Sequence, residues 1–353
     1  MSSGKKTMLI IATVLVIGGS AISFGAFAAA GFNPENLSTE SRDWASVTKT
    51  FDAEAESPHS AIVVRDASEN VRIEPTDGDA VEVTYWTNER KRFDVSDNGG
   101  TIVVEGSRES YIGIMMIGSF EDHTTVVKVP RSYTGTLDVD AMGGSIDATD
   151  LSGLGSVTTK TASGNVKLDR LSADTVVADA ASGNVQVLRT QAASVSATTM
   201  SGHIELSDVE ASDLVKLDTA SGGQLLQGVS AAIIDAHMGS GDILATNITT
   251  ADAKFDAASG NVSCTFTGSD SEYAIEASSV SGDVRAPAGS VAAEKRVSAH
   301  TMSGNVTLMF AGGGSSVGSA GNAGNGSSVP AVPDAPEAPD APEAPEAPEP
   351  PTL

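Results

Sequence analysis

Ala162-Ser163-Gly164-Asn165-Val166 returns nineteen residues later as Ala181-Ser182-Gly183-Asn184-Val185, and then as Met200-Ser201-Gly202-His203-Ile204. The same small-Ser-Gly-polar-apolar run continues through Ala220-Ser221-Gly222-Gly223, Gly239-Ser240-Gly241-Asp242-Ile243 and Ala258-Ser259-Gly260-Asn261-Val262. Val280-Ser281-Gly282-Asp283-Val284 and Met302-Ser303-Gly304-Asn305-Val306 follow, and Met142-Gly143-Gly144-Ser145-Ile146 opens the series. The nine glycines Gly144, Gly164, Gly183, Gly202, Gly222, Gly241, Gly260, Gly282 and Gly304 stand 20, 19, 19, 20, 19, 19, 22 and 22 residues apart. So even a period marks a repeat architecture.

Each unit has one internal grammar. Before the glycine runs an alternating segment such as Val195-x-Ala197-x-Thr199, and after it a shorter one such as Val166-x-Leu168 or Ile204-x-Leu206. Period two predicts strands with one buried face. Ser-Gly-Asn and Ser-Gly-Asp are turn formers, because Gly tolerates positive φ and Asn or Asp tolerate the left-handed region. One unit therefore reads as strand, tight corner, strand, second corner.

A unit of about twenty residues cannot bury its own inner face, whereas stacked units can. The sequence thus predicts an all-β fold, a parallel β-helix or β-solenoid of about nine turns of 19–22 residues over 141–310. At ~4.8 Å per turn it would be roughly 40 Å long. Equivalent corner residues should form ladders, with Asn165 near Asn184 and Asn261 one turn beyond Asp242. The nine glycines are read as structural corner residues. A leucine-rich repeat needs a helical half that the sequence lacks, and a propeller blade needs ~40 residues.

Residues 47–140 read as a strand-rich N-terminal part that caps the first turn. Candidate strands are Ala61–Val64, Asn70–Ile73, Val81–Tyr85, Thr101–Val104 and Thr125–Val129, separated by Asp-Gly and Asn-Gly turns. Ser68-Glu69-Asn70-Val71 resembles a decayed copy of the repeat corner. The stretch Tyr111 to Phe120 stands apart, with Ile112, Ile114, Met115, Met116, Ile117 and Phe120 between charged flanks. It reads either as a buried hairpin strand or as an adaptable contact with a membrane or partner.

The Ser-Gly-Asn/Asp-Val repeats, together with Val126-Val127-Lys128-Val129-Pro130 and Thr136-Leu137-Asp138-Val139 leading into the Gly144 corner, resemble a bacterial family of unknown function that carries the label "putative adhesin". The resemblance covers about residues 47–310. It implies a β-repeat body associated with the bacterial envelope and says little about activity.

The two ends bear on location. Residues 1–7 read as a cytoplasmic stub with Lys5 and Lys6, and Met8 to Phe32 form 25 residues without a charge. About 20 apolar helical residues span a bilayer. Basic residues in front predict a single-pass signal anchor, with the N-terminus cytoplasmic and the body extracytoplasmic at the cell membrane. The rival is a signal peptide cleaved after Ala28, since Ala26-Phe27-Ala28 has the small-x-small form. Residues 33–46 are a linker. Residues 311–353 form a Gly/Ser stretch and then an acidic, Pro-rich tail, compositions that favour a flexible spacer followed by polyproline II.

Composition limits the chemistry. A net charge of -25 repels phosphate backbones, which excludes nucleic acid as a partner. One cysteine excludes an intrachain disulfide framework and cysteine-rich zinc sites. None of His59, His123, His203, His237 and His300 forms a short metal-binding pair. Asp169, Asp179, Asp218, Asp235 and Asp256 are expected at outward strand positions, as a solvated face. No phosphate loop or nucleophile elbow is present. No catalytic residue, cofactor or metal is therefore assigned. The leading expectation is a non-enzymatic surface adhesion or interaction scaffold, contacting the membrane through its N-terminal helix and meeting envelope proteins or surface glycans. The alternatives are an envelope-stress or signalling accessory that binds a membrane partner, and a polysaccharide-acting β-helix enzyme.

Overall fold

The computed structural model describes residues 44–52, 59–66, 68–89, 91–108 and 123–312. The expected transmembrane helix at 8–32, the segment 111–120 and the tail beyond 312 lie outside the described residues. No helix among the described residues is long and apolar enough to cross a membrane.

Eight strands precede the first repeat glycine: β1 (Ala45–Asp52), β2 (Ala61–Asp66), β3 (Val71–Thr76), β4 (Ala80–Thr87), β5 (Lys91–Asp97), β6 (Thr101–Arg108), β7 (Thr125–Pro130) and β8 (Thr136–Ala141). Short and long strands then alternate: β9 (Ile146–Thr149), β10 (Leu154–Ser163), β11 (Val166–Asp169), β12 (Ser172–Ser182), β13 (Val185–Leu188), β14 (Gln191–Ser201), β15 (Ile204–Ser207), β16 (Glu210–Ser221), β17 (Gln224–Gln227) and β18 (Ser230–Ser240). The set ends with β19 (Ile243–Ser259), which serves both sheets, β20 (Val262–Phe266), β21 (Tyr273–Ser281), β22 (Val284–Arg285), β23 (Lys295–Ser303) and β24 (Val306–Phe310).

Each long strand pairs in parallel with the long strand one turn on, as Val176↔Val195 and Val195↔Val215. The short strands do the same in a second sheet, as Val166↔Val185 and Val185↔Ile204. Alternate residues point inward, and Val, Ile, Leu, Ala and Thr fill the space between the sheets. Wider side chains gather at the C-terminal end, where Phe266 stacks on Phe310 with ring centroids 4.9 Å apart and Tyr273 lies 5.3 Å from Phe310.

The main corner is tight because the chain turns directly over its neighbour. In the turn at Gly183, the Gly183 N–H donates to Ser201 O at 3.0 Å and the Val185 N–H to His203 O at 2.9 Å. That leaves the Asn184 N–H, which donates to Asn165 Oδ1 at 2.9 Å. The Gly183 carbonyl accepts from the Thr199 hydroxyl at 2.9 Å. Every backbone N–H and C=O of Gly183 and Asn184 has a partner, with Asn184 O accepting from the Val166 N–H at 2.9 Å. Side-chain oxygens or nitrogens meet the next turn's N–H along almost the whole stack: Asn70 to Ser145, Ser145 to Asn165, Asn184 to His203, His203 Nδ1 to Gly223, Asp242 to Asn261, Asn261 to Asn305 and Asn305 to Asp283, all within 2.7–3.1 Å. Gly223 has no side chain to offer Asp242, and the ladder breaks there. Gly241 sits at φ +137°, and a Cβ there would overlap the carbonyl oxygen of Gly222 in the preceding turn.

At the second corner of six successive turns one residue is left-handed: Asp150, Arg170, Arg189, Asp208 and Asn247 have φ of 47–60°, and Gly228 takes the equivalent place. This registry lets short and long strands meet without a loop.

Two features depart from simple sequential stacking. The Asn70 corner joins the stack, because β2 and β3 lie directly beneath β8 and β9. The solenoid's N-terminal end is then finished by antiparallel pairing of β5 with β6, β4 with β7 and β1 with β4. At the other end the last two turns exchange places: β23–β24 stack on β19–β20, and β21–β22 become outermost. The strands of the second sheet account for the exchange, because β24 offers Val306, Leu308 and Phe310 to the core whereas β22 offers only Val284. Val297, Ala299, Val306 and Leu308 in the inserted turn are fully buried, whereas Ile275, Ala277 and Val284 in the terminal turn are only partly so. The more apolar turn takes the enclosed slot, and the more polar one faces water at the open edge.

The corner ladder predicts that Asn184→Ala, which removes the acceptor for the His203 N–H, lowers unfolding free energy by about 1 kcal/mol. Asn184→Asp keeps the acceptor and should cost clearly less. Urea denaturation of the two variants checks this; equal losses would remove the ladder from the account.

Candidate functional site

The repeat glycines line the main corner as a column, with Gly304 next to Gly260 and Gly282 next to Gly304. Their backbones are enclosed by neighbouring turns, so their place is in the scaffold. The outer face of the long-strand sheet carries a continuous set of solvent-facing groups.

On this face each strand presents every second residue. From β16 come Leu214, Lys216, Asp218 and Ala220; from β18, Ile233, Asp235, His237 and Gly239; from β19, Asp252, Lys254, Asp256 and Ala258. Register places Lys216, Asp235 and Lys254 in one column and Asp218, His237, Asp256 and His300 in the next. The charges are locally compensated. Lys216 Nζ is 3.3 Å from Asp218, and Lys254 Nζ is 2.8 Å from Asp256. His237 Nε2 lies 2.9 Å from Asp235 and Nδ1 3.4 Å from Asp256. The Asp256 carboxylate holds the Lys254 ammonium above its ordinary value. His300 Nδ1 meets the Ser278 hydroxyl at 2.8 Å.

Beside the His and Asp column runs a slot of about 560 Å³. Ala220, Gly239 and Ala258 form its floor, and Met200 and Met302 wall its ends. The methionines are 63% and 58% exposed, so apolar surface faces water at both ends. Flexible thioethers beside a small-residue floor suit contact with another surface. Carboxylates already paired with lysine in the same strand are poorly disposed to act as general acid or base.

The remaining polar clusters are structural. Asp169 departs from its expected outward, solvated place: it is 3% exposed. It sits at the end of β11 where the chain turns, and Arg170 Nη1 at 2.7 Å and Arg189 Nη2 at 2.6 Å fold over it. Arg170 also grips Asp150 with two nitrogens and holds that carboxyl below the usual range. Near the N-terminal end, the buried Lys91 ammonium meets Asp66 Oδ1 at 2.8 Å and Glu69 at 3.3 Å, and Thr125 donates to Asp66 Oδ2 at 3.0 Å. Lys91 also lies 4.9 Å from the centre of the Phe93 ring. Nothing in the chain around Lys91 announces this, because it stands in a run of charged residues up to Arg92. Trp44 stacks on His123 with centroids 3.9 Å apart, and Trp86 lies 5.2 Å from the same ring.

Cys264 is fully buried, and burial pushes its thiol up, which makes it core packing rather than a reactive group. Among the described residues no group of three or more His, Cys, Asp or Glu side chains is disposed to hold a metal ion.

This geometry defines the class: a two-sheet β-solenoid with an antiparallel N-terminal cap and a decorated outer face. The chain belongs to the Toastrack DUF4097 family, whose model matches residues 59–309. No curated protein matches it. It is similar to a solved "putative adhesin" from Bacteroides fragilis, at 14% identity and TM-score 0.41, over 76% of this chain and 98% of that one. A "putative adhesin" from Parabacteroides distasonis gives 14% and 0.43, over 77% and 96%. A "putative lipid binding protein" from the same organism gives 15% and 0.42, over 74% and 96%. At these values the likenesses carry nothing about what this chain binds.

Lys91→Met is expected to cost roughly 3–5 kcal/mol, because it leaves Asp66 charged and unpaired in the interior. Lys216→Met on the open face should cost under about 1 kcal/mol. Denaturant midpoints of the two variants compare them directly. A small loss for Lys91→Met would show that water reaches Asp66.

Proposed function

We propose that this chain is a non-enzymatic adhesion and interaction scaffold of the bacterial envelope, held by residues 8–32 with its β-body outside the membrane. The observation that carries the reading is the outer face of the long-strand sheet. It offers a slot of about 560 Å³ with apolar ends and a row of compensated charges along its side, built on strands fixed turn by turn. A rigid face of this kind recognises a surface through repeated shallow contacts, and its side chains are poised for complementarity rather than for proton transfer.

The anchored orientation is supported by the sequence. The 25 uncharged residues behind Lys5 and Lys6 are long enough to cross a bilayer, and the preceding basic pair favours a cytoplasmic N-terminus. The acidic body and tail suit an aqueous, extracytoplasmic setting. The Pro-rich tail from 330 onward acts as a spacer at the far end of the chain.

The test uses the full chain in a bacterial host. Protease is added to intact cells, and the mass of the N-terminal peptide in the membrane fraction is measured. The body should be digested from outside while an uncleaved N-terminus stays in the membrane. A protected body would overturn the orientation, and an N-terminus beginning at Ala29 would replace the anchor with a cleaved signal. Incubation with purified wall glycan should give retention without new reducing ends; turnover would overturn the non-enzymatic reading.

A further inference from the structure

The outer face carries a symmetry that the fold does not require. In the central strand β18, the four outward residues read Ile233, Asp235, His237, Gly239. Reversed, the order is small, imidazole, carboxylate, bulky apolar, so each end of the strand fits the other. β16 repeats the whole relation with Leu214, Lys216, Asp218, Ala220, and β19 repeats its charged part with Lys254 beside Asp256, while Asp252 takes the place of the bulky apolar residue and falls opposite Ala258. Each lysine has its aspartate on the same strand, in the adjacent column.

We propose that this face binds a second copy of the chain, about a two-fold axis parallel to the solenoid axis and running between the two charged columns. Under that operation each strand meets its own copy in antiparallel sense, at the ~10 Å spacing of face-packed sheets. Lys216 then faces Asp218 of the second copy, Asp235 faces His237, and Lys254 faces Asp256. The bulky residues fall opposite the small ones: Ile233, 48% exposed, meets the slot at Gly239, and Leu214 meets Ala220. Met200 and Met302 close the ends of the slot around the inserted isoleucine.

Charge complementarity selects this axis over the alternative. A two-fold axis lying across the sheet, along the strand direction through β18, would set Lys216 against Lys254 and Asp218 against Asp256. Like charges opposed at an interface disfavour association. The parallel axis instead gives each lysine a second carboxylate, and the existing pairs are exposed enough to accept one, with Lys216 and Lys254 side chains 46% and 51% accessible.

Size sets the affinity class. Five turns at ~4.8 Å and about seven residues at ~3.3 Å give on the order of 550 Å² per copy. The total of roughly 1,100 Å² falls just under the ~1,200 Å² at which stable interfaces begin, in the class of weak or transient association. The parallel sense brings both N-terminal ends to one side, as two chains held in one membrane require. Self-association itself does not depend on anchoring, so its failure is distinguishable from failure of the orientation in the protease experiment.

The test is sedimentation velocity of the full chain in a mild non-ionic detergent, up to ~100 µM. The parent should sediment as a concentration-dependent dimer. Ile233→Glu, an exposed position, should raise the dissociation constant at least tenfold, and Lys216→Glu with Lys254→Glu should do the same. Lys216→Asp combined with Asp218→Lys exchanges the columns on one strand while preserving complementarity, and should remain dimeric. A monomeric parent at ~100 µM overturns the proposal. So does a dimer indifferent to Ile233→Glu, which would place association in the N-terminal segment or another face, or an exchange variant as weak as the charge reversals.

Discussion

The structure depends on how a backbone corner satisfies its hydrogen bonds when it lies directly on another corner. Three successive N–H groups arise there in each turn. Two find carbonyls of the next turn, as Gly183 finds Ser201 and Val185 finds His203. The third has no backbone partner and is met by the side chain one turn back, as Asn165 meets Asn184. The repeat's Asn and Asp preference follows from this single vacancy. His203 fills the role through Nδ1, and Ser145 through its hydroxyl. The chemistry needed is an acceptor of short reach, not one residue type.

Because the corners take care of the backbone, the interior need only be apolar and small. Val, Ile, Leu, Ala and Thr fill most of it, and Thr199 adds a hydroxyl that caps the Gly183 carbonyl. Outward positions are then free of structural duty along most of the stack. The variety found on β16, β18 and β19, with lysine, aspartate, histidine, isoleucine and glycine at equivalent places, is the latitude such a scaffold allows. Function, on this account, is written on the outer columns and leaves the inner ones unchanged.

The stacked turns were legible because period and corner chemistry repeat in the chain itself. Even the weak copy at Ser68-Glu69-Asn70-Val71 could be read, and Asn70 accepts from the Ser145 N–H at 2.8 Å. What depends on relative energies was not. The exchange of β21–β22 with β23–β24 follows from how much apolar surface each turn buries, and the 22-residue spacings alone do not reveal it. The inward fate of Asp169 and Lys91 was also hidden, because Arg189 reaches Asp169 from the next turn and Asp66 and Glu69 meet Lys91 from a distant part of the chain. Strands β1 and β5 pair antiparallel and carry no repeat signature. On the outer face the individual charges could be placed, but the compensation between columns needs the register of neighbouring strands.

The central claim is that side-chain acceptors, one per turn, protect the corner amides. Amide hydrogen exchange resolved by residue tests it most directly, and Gly223 supplies an internal control. The Asn184, His203 and Asn261 N–H groups, each held by a side chain of the preceding turn, should exchange slowly. The Asp242 N–H, which faces Gly223, should exchange much faster although its own turn is equally stacked. Equal protection at Asp242 and at its neighbours would mean that stacking alone shields the corners, and that the ladder is not what holds them.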